Sequence, residues 1–408
     1  MRILYVTNDL PWPLTSGYLR HYHFIRALSA RHAVTLLSLV REGHGRGDVD
    51  ALRSITERIA VVPATLGRPS VTGRARSRLR ALRAGGDEAA IRLGEAGAEL
   101  AAAGRFDVLL VSGKRTFPVL RRLPPLPLVA DLCDATSSRI RLQIRHAPPA
   151  RWPILALEYA EVRRVERALL GRAAHVLFAS VRDREALLGP AGSPARSAGV
   201  SVIPNGVDLE FWRRRRRRLG RDEIVLTGAM DYPPNTDAAL GLIETVLPLV
   251  RREIPTAGLS IVGRDPTPTL VAAGRRPGVR VTGYVDDVRP YLEGASVFAV
   301  PLRFGAGIQN KVLEAMAMEV PVVASPLAAD GLRAADGERP PIDVASTPEE
   351  TAQRIVERLR RAGHGEEAGP ALRSYVAEHF DWTRNAGRLE RILLAVAEGS
   401  PEPPEEAR

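Results

Sequence analysis

The feature of this 408-residue sequence that most restricts its fold is the alternation of short apolar runs with longer helical stretches. Thirteen runs rich in Val, Ile and Leu predict buried strands. They cover residues 3–7, 34–40, 59–63, 108–111, 128–131, 176–180, 201–203, 224–227, 259–262, 279–282, 297–301, 322–324 and 342–345. Strands that alternate with helices form parallel sheets with right-handed crossovers, and thirteen strands exceed one open sheet of usual size. We therefore expect an α/β protein with two doubly wound, Rossmann-like domains.

The change of domain is predicted at a turn followed by a run of arginines. Residues 204–208 read Pro-Asn-Gly-Val-Asp, which is typical of a turn after a strand. Six consecutive arginines follow at 213–218, and a block of like charge usually stays solvated, which favours a linker over a nucleic-acid or membrane tether. We expect an N-terminal domain over 1–208, a basic linker over 209–222 and a second domain over 223–381. The Pro- and Glu-rich tail 399–408 is typical of disorder.

Composition excludes several classes of protein. No apolar run is long enough for a membrane-spanning helix, and the apolar start is too short for a secretory signal, so we expect a cytoplasmic protein. Cys133 is the only cysteine, which excludes an intrachain disulfide and a thiol-rich metal site. The formal net charge of +11 favours anionic partners such as nucleotides. The basic, amphipathic segment 74–83 leaves peripheral contact with the inner face of a membrane open, beside the interpretation as an exposed domain helix.

A glycine-containing turn after the strand at 297–301 is the first candidate binding site. Gly305 and Gly307 allow close approach of the backbone to a ligand, and the helix predicted from Gln309 directs amides and its positive end to the same place, which suits phosphate. Lys311 and Glu314 share a helical face, where the carboxylate could accept from a ribose hydroxyl pair. An ordinary helix cap with a surface ion pair is the alternative interpretation.

Two further strand-to-helix turns are candidates because ligands bind at the carboxyl ends of parallel strands. Ser16 and Gly17 precede the first helix and offer a second anion-binding nest, or simply a helix cap. In the turn at 228–237 we expect Asn235 and Asp237 to cap a helix that begins at residue 238.

Taken in order, these motifs resemble family 4 glycosyltransferases, the nucleotide-sugar enzymes of the GT-B fold. The resemblance covers most of the chain and includes the Ser-Gly turn at 16–17, Ile-Pro-Asn-Gly-Val-Asp at 203–208 and the segment 305–316 followed by Pro-Val-Val-Ala-Ser at 321–325. It implies two Rossmann-like domains with an interdomain cleft. It also implies that the helix at about 382–397, after Phe-Asp-Trp at 380–382, returns to the first domain.

The resemblance implies a role for each matching residue. Glu314 matches the second glutamate of the family's E-x7-E motif, which binds the donor ribose. Gly307 and Ile308 match backbone that meets the donor sugar or phosphate, and we also expect Gly305 and Gln309 of the same loop to bind the substrate. In the same way, Ser16 and Gly17 match the loop that closes on the diphosphate, and Tyr284 and Val285 match the turn that lines the base.

Departures from the family pattern change the expected catalytic groups. Ala306 stands where the first glutamate of the motif is expected, and the turn at 229–236 contains no basic residue. Lys311 is then the nearest cation for the diphosphate, and we expect it to act in catalysis. Ser112 takes the place of the family's histidine, which leaves Lys114 and Asp134 as candidates to touch the sugar or acceptor; a surface ion pair or helix-start contacts are the alternative.

The function implied is transfer of a sugar from a nucleotide diphosphate sugar, such as a UDP or GDP sugar, with retention of configuration. The second domain would bind the donor, and the first would bind a small-molecule, glycan or lipid-linked acceptor. We expect no cofactor and no metal, because no Asp-x-Asp lies in a suitable loop. A nucleotide-sugar epimerase, or a phosphorylase with pyridoxal phosphate on Lys311, is the alternative within the fold. An Arg-rich nucleic-acid-binding protein is the alternative of another class, but no aromatics interleave with the arginines.

Overall fold

The computed structural model describes residues 1–12, 19–41, 44–64, 88–123, 125–189, 199–215, 222–305, 307–363 and 369–399. All thirteen predicted strands are present, with ends that lie within two residues of the ends of the apolar runs. The strands are β1 Arg2–Thr7, β2 Ala33–Val40, β3 Arg58–Pro63, β4 Val108–Ser112, β5 Leu128–Cys133, β6 His175–Phe178, β7 Gly199–Val202, β8 Glu223–Thr227, β9 Gly258–Val262, β10 Val279–Val281, β11 Val297–Val300, β12 Val322–Ala324 and β13 Asp343–Val344.

The strands form two parallel sheets, which confirms the predicted pair of Rossmann-like α/β domains. The first sheet has seven strands in the order β3-β2-β1-β4-β5-β6-β7, and the second has six in the order β10-β9-β8-β11-β12-β13. In the centre of the first sheet, Val6 of β1 pairs with Leu37 on one side and Val111 on the other. The central strands are mostly apolar and buried because helices cover both faces of each sheet.

Helices fill the connections between the strands. They are α1 Leu19–Ser29, α2 Arg46–Arg53, α3 Glu88–Ala103, α4 Thr136–His146, α5 Trp152–Arg172, α6 Val181–Leu188, α7 Pro233–Gly241, α8 Leu247–Glu253, α9 Pro268–Ala273, α10 Arg289–Glu293, α11 Asn310–Ala317, α12 Pro326–Asp330, α13 Pro348–Gly363, α14 Gly369–His379 and α15 Trp382–Ala397. A π-turn, Leu242–Val246, joins α7 to α8. Of the helices in these described ranges, none is long and apolar enough to cross a membrane.

The first compact unit comprises Met1–Ala179, Arg184–Ile203 and the C-terminal segment from Trp382. Its sheet is covered on one face by α1 and α15, whose apolar side chains share a buried cluster with β1. Trp382 lies under His23, with ring centroids 4.4 Å apart and nearly parallel planes. The final helix therefore packs in the first unit, where Leu389 and Leu393 are fully buried.

The second unit comprises Ser180–Asp183 and Pro204–Asp381, so it begins before the predicted boundary at residue 208. Val207 explains the difference: its amide donates to the Phe380 carbonyl at 2.8 Å, and its side chain lies in the second unit's apolar core. Residues 204–208 thus pack with the domain that follows them. A turn motif in the sequence does not show which neighbour it packs against.

The structure also differs from the prediction of a solvated linker over 209–222. Leu209 and Trp212 pack on the core of the second unit. Arg214 donates to the carbonyls of Glu293 and Ala295, and the Arg289 guanidinium lies 4.0 Å from the centre of the Phe211 ring. Residues 209–215 therefore pack on the second unit because their arginines and aromatic rings find partners there. The remainder of the run, 216–218, lies outside the described residues, as do the basic segment 74–83 and the tail from residue 400.

Candidate active site

The order in which the chain adds strands to the second sheet reverses between β8 and β11, and the candidate donor site lies at this point. From β8 the chain continues to β9 and β10 on one side, and it later returns to β11, β12 and β13 on the other. The connections that follow β8 and β11 therefore leave the same sheet edge in opposite directions, which opens a crevice at the carboxyl ends of the strands. Residues 228–232, 301–305 and 307–309 border this crevice.

Lys311 lies on the first turn of α11, and its ammonium reaches the connection after β8. Its Nζ donates a hydrogen bond to Oδ1 of Asn235, whose Nδ2 donates to the Ala229 carbonyl at 2.9 Å. Asn235 lies inside α7, which begins at Pro233 because proline suits the first turn of a helix. The expectation that Asn235 and Asp237 cap a helix from residue 238 is therefore wrong. Asn235 instead holds the amine of Lys311 at the crevice.

Burial shifts the pKa values of Lys311 and Glu314 in opposite directions. Loss of solvent lowers the pKa of the Lys311 ammonium to about 8, although the Glu314 charge partly opposes the shift. Loss of solvent likewise raises the pKa of the Glu314 carboxyl to about 7, and the Lys311 charge partly opposes this. Near neutral pH both groups can therefore gain or lose a proton. An ammonium and a carboxyl one helical turn apart can serve an anion and a hydroxyl pair on the same ligand.

Two glycines bring the ends of β8 and β9 into backbone contact. Gly228 and Gly263 have φ values of 147° and 155°, which L side chains rarely adopt. A Cβ atom on Gly263 would lie 1.7 Å from the Gly228 carbonyl oxygen, and one on Gly228 would lie 2.7 Å from Asn235 Nδ2. Glycine is therefore required at both positions.

The glycine loop before α11 is held by residues from far away in the sequence. The Gly307 amide donates to Asp183 Oδ2 at 3.0 Å, and the Gly307 carbonyl accepts from Arg182 at 3.2 Å. Gly307 has a φ of 70°, while Gly305 has a φ of 157°. The Gly307 amide, expected from the sequence to face the donor, is thus bound to a carboxylate here.

The other loop residues have different surroundings. Ile308 packs against the apolar core, and Gln309 is buried at the entrance to α11. Ala306, which replaces the family's first glutamate, lies outside the described residues, as do Ser16 and Gly17.

Sequence reasoning missed a second cation at this crevice. Arg303 follows β11 by three residues, and its Nε donates to Asp237 Oδ2 of α7 at 2.8 Å. The Arg303 side chain is 62% exposed, so the pair contributes little stability and the guanidinium remains accessible. Its position just after a central strand is the signal that could have identified it, because such positions lie at the carboxyl edge.

Tyr284 and Val285, predicted to line the base, follow β10 at the outer end of the same sheet edge. The Tyr284 ring is 71% exposed, whereas Val285 packs partly buried on the core. Thr282 connects this turn to the next strand end, because its hydroxyl accepts from the Gly263 amide at 3.4 Å and donates to the Gly283 carbonyl at 2.8 Å. The ends of β10 and β9 are thereby connected.

In the first unit, a histidine does reach the end of β4, although the sequence places Ser112 there. His21 comes from α1, and its Nε2 lies 3.2 Å from Ser112 Oγ. Its Nδ1 lies 2.9 Å from the Tyr5 hydroxyl. Burial lowers the pKa of His21 to about 4, so the imidazole is neutral at pH 7. The residue at position 112 could not predict this histidine, because His21 belongs to α1.

A buried ion pair fixes the end of the neighbouring strand, β5. Arg20 Nε and Nη2 donate to the two carboxylate oxygens of Asp131 at 2.7 and 3.1 Å, and Arg20 Nη1 donates to the Ile203 carbonyl at 2.7 Å. Burial alone would raise the pKa of Asp131, but the Arg20 charge outweighs it and holds this pKa below its ordinary value. Asp131 Oδ1 in turn accepts from the Cys133 amide at 3.2 Å, which supports the left-handed conformation of Cys133 at φ 57°.

Asp134 and Lys114, the sequence candidates for acceptor contacts, follow the adjacent strands β5 and β4. Asp134 Oδ1 accepts from the Thr136 hydroxyl at 2.5 Å, and its amide donates to the Leu132 carbonyl at 2.7 Å. Lys114 begins a short 3-10 helix, Lys114–Arg121. The topology therefore brings both residues to the carboxyl edge of the first sheet.

Within the part of the chain that the structure describes, one group of side chains has the spacing of metal ligands. Asp336, Glu338 and His379 offer ligand atoms that lie within 4.8 Å of one another, and His379 Nε2 is 3.1 Å from a Glu338 carboxylate oxygen. Both acidic residues are exposed. None of the three belongs to the turns after β8 or β11, so the donor crevice does not include this group.

Comparison with known proteins agrees with this architecture. The family described as "Glycosyl transferases group 1" matches residues 221–361. A GDP-mannose-dependent alpha-(1-6)-phosphatidylinositol monomannoside mannosyltransferase of Mycobacterium tuberculosis is 27% identical over 96% of this chain and 98% of its own length. The protein of the same description from Mycolicibacterium smegmatis is 25% identical, with the same shares covered. The resemblance thus extends over both units.

Solved structures show the same fold at lower sequence identity. The HepE protein of Anabaena, in complex with UDP and glucose, has a TM-score of 0.64 and 14% identity, covering 96% of this chain and 99% of that one. Sucrose-phosphate synthase of Thermosynechococcus elongatus has a TM-score of 0.69 and 16% identity, covering 98% and 100%. Both likenesses support the two-domain GT-B architecture of the chain.

Proposed function

This chain is a group 1 glycosyltransferase with the GT-B fold, a nucleotide-sugar-dependent hexosyltransferase, and we propose that it transfers mannose from GDP-mannose to a phosphatidylinositol-type glycolipid. The observation that carries the proposal is the likeness to GDP-mannose-dependent mannosyltransferases over 96% of the chain. We further propose that the reaction retains the anomeric configuration, as the family resemblance implies, and that the enzyme works at the cytoplasmic side of the membrane.

The donor diphosphate is proposed to bind where α11 begins. The Lys311 ammonium, held by Asn235, supplies positive charge, and the amino-terminal end of the helix adds its dipole. Arg303 lies at the same edge and can exchange its exposed bond with Asp237 for a phosphate oxygen. Glu314 accepts from the ribose hydroxyls in its ionised form, and Tyr284 with Val285 lies beside the base.

Catalysis then depends on the diphosphate as leaving group. Negative charge develops on the diphosphate as its bond to the sugar breaks, and a preorganised ammonium in a site of low polarity stabilises that charge. The proposed mechanism uses no protein nucleophile, no bound metal and no cofactor. The first unit binds the acceptor, and Asp134 and Lys114, at the carboxyl edge of its sheet, are the groups proposed to touch the sugar or the acceptor.

The donor is tested first by calorimetric titration of the purified enzyme with GDP, UDP, ADP and CDP. We expect GDP to bind at least tenfold more tightly than the others; preference for UDP would contradict GDP-mannose as donor. Transfer is then measured with radiolabelled GDP-mannose and detergent-dispersed phosphatidylinositol monomannoside, and the anomeric configuration of the product is read by NMR. GDP binding without any transfer to the glycolipid would refute the acceptor and leave the donor standing.

A further inference from the structure

The tip formed by α4, α5 and the connection between them exposes large apolar side chains. At the start of α5, Trp152, Ile154 and Leu157 are 48%, 52% and 67% exposed. They are three of nine exposed large apolar residues in the described ranges, and they lie within six residues of one another. A group of exposed large apolar side chains on a folded domain is typical of an interaction site.

The backbone of this tip holds the apolar side chains outward. The Trp152 indole Nε1 donates to the Ala147 carbonyl at 3.0 Å, which fixes the ring beside the connection. Leu155, between the exposed residues, is buried and anchors the first turn of α5 to the domain. At 100° per residue, Pro153, Ile154 and Leu157 fall within an arc of roughly 100° on the helix surface, and Trp152 lies about 100° to one side of it, next to the connection. The tip therefore presents one apolar face on a supported helix.

The charge at this tip is mainly positive. From residue 136 to residue 157 the sequence contains four arginines and no acidic residue, and two exposed glutamates, Glu158 and Glu161, follow on the next turn of α5. Arg141, Arg145 and Arg151 are exposed. Apolar side chains that project from a basic surface match the two layers of an anionic bilayer, because the arginines meet the headgroups while the apolar tips enter the acyl boundary.

We propose that the α4–α5 tip, residues 136–157, docks the enzyme on the surface of a bilayer that contains anionic phospholipid. The tip lies in the first unit, to which the proposed function assigns the acceptor. Docking is a separate property, since it requires neither GDP-mannose nor a glycolipid acceptor. It places the attachment on α4 and α5 and not on the basic segment 74–83.

Vesicle co-sedimentation of the full chain tests the proposal. The vesicles contain phosphatidylcholine alone or phosphatidylcholine mixed with phosphatidylglycerol. We expect binding only to the mixed vesicles, with a blue shift of tryptophan emission that Trp152→Phe removes. The triple variant R141Q/R145Q/R151Q should bind about a hundredfold more weakly, since each arginine near an anionic surface contributes about fivefold.

The double variant I154S/L157S should bind at least tenfold more weakly while melting at the temperature of the parent. The matched control is V271S/V344S, which removes two exposed apolar side chains of the second unit and should bind like the parent. GDP titration of every variant should give the parent affinity, which separates docking from donor binding.

Three results would overturn the proposal. Full binding by both tip variants would assign attachment to another surface, and absence of binding to anionic vesicles would remove it. An oligomer of the parent that I154S/L157S dissociates would show that the apolar face contacts a second copy. None of these results would affect transfer to a detergent-dispersed acceptor, so failure here is distinguishable from failure of the proposed function.

Discussion

Replacing Lys311 with methionine removes one charge from the donor crevice while keeping the length of the side chain. The ammonium has three donors, of which Asn235 engages one, so two remain for a diphosphate. With a pKa of about 8, roughly nine-tenths of the amines carry their charge at pH 7. A hydrogen bond to a charged group contributes about 1.5–3 kcal/mol, so we expect Lys311→Met to weaken GDP binding about 10- to 150-fold.

Isothermal titration at pH 7 with GDP and with guanosine measures this effect. Guanosine lacks the diphosphate, so its affinity should be the same for Lys311→Met and the parent. Arg275→Met, which removes an exposed cation elsewhere in the second unit, is the matched control and should bind GDP normally. An unchanged GDP affinity, or an equal loss for guanosine, would refute the assignment of Lys311 to the phosphates.

Three other sets of variants test the remaining structural arguments. Burial raises the pKa of Glu314 to about 7, whereas Lys311, with a pKa of about 8, keeps most of its charge up to pH 7. GDP affinity should therefore rise more steeply from pH 6 to pH 7 in the parent than in Glu314→Gln, which should bind weakly; an equal rise in the variant would exclude Glu314. Gly263→Ala should lower the free energy of unfolding by about 1–3 kcal/mol, because its Cβ would overlap the Gly228 carbonyl. A Cβ on Gly241 meets no atom within 4 Å, so Gly241→Ala should raise the free energy of unfolding by about 0.5–1 kcal/mol. Equal effects in thermal unfolding would contradict the backbone contact. Arg20→Met leaves Asp131 buried without its cation and should lower the free energy of unfolding in urea by about 3–5 kcal/mol at pH 7. This loss should shrink towards pH 4, because burial without a cation raises the pKa of the carboxyl, which then takes up a proton. A loss that does not depend on pH would refute the pairing.

Much of the fold is predictable because buried parallel strands have a local signature. A strand covered on both faces must be apolar along its length, so short Val- and Ile-rich runs such as residues 322–324 identify it without tertiary information. The order of strands and helices then implies two doubly wound sheets. The glycines and charged residues at 305–314 are recognisable for the same reason, since the turn after a central strand meets the ligand edge.

What the sequence could not predict depends on contacts between distant residues. The Asn235 amide that holds Lys311 comes from 76 positions away, and Asp183 reaches Gly307 from 124 positions away. His21 approaches the end of β4 from 91 positions away, so the search for a histidine at residue 112 itself could not find it. Such pairings follow from the packing of whole helices on the sheet, which no local pattern contains.

The arginine run shows a second limit of local reasoning. A block of like charge is expected to repel itself and remain solvated. Arg214 instead finds two backbone carbonyls on a neighbouring helix end, and those acceptors are specified 79 and 81 residues later. The charge of a segment therefore predicts that it prefers solvent. It does not predict that the fold places carbonyl acceptors beside its arginines.

The proposed function depends on the donor diphosphate binding in the crevice between the connections that follow β8 and β11 of the second sheet. A crystal structure of the full chain with GDP tests it most directly. We expect the two phosphates within hydrogen-bond distance of Lys311 Nζ at the start of α11, with the ribose hydroxyls on Glu314. GDP bound at any other place, with Lys311 still bonded only to Asn235, would contradict the claim.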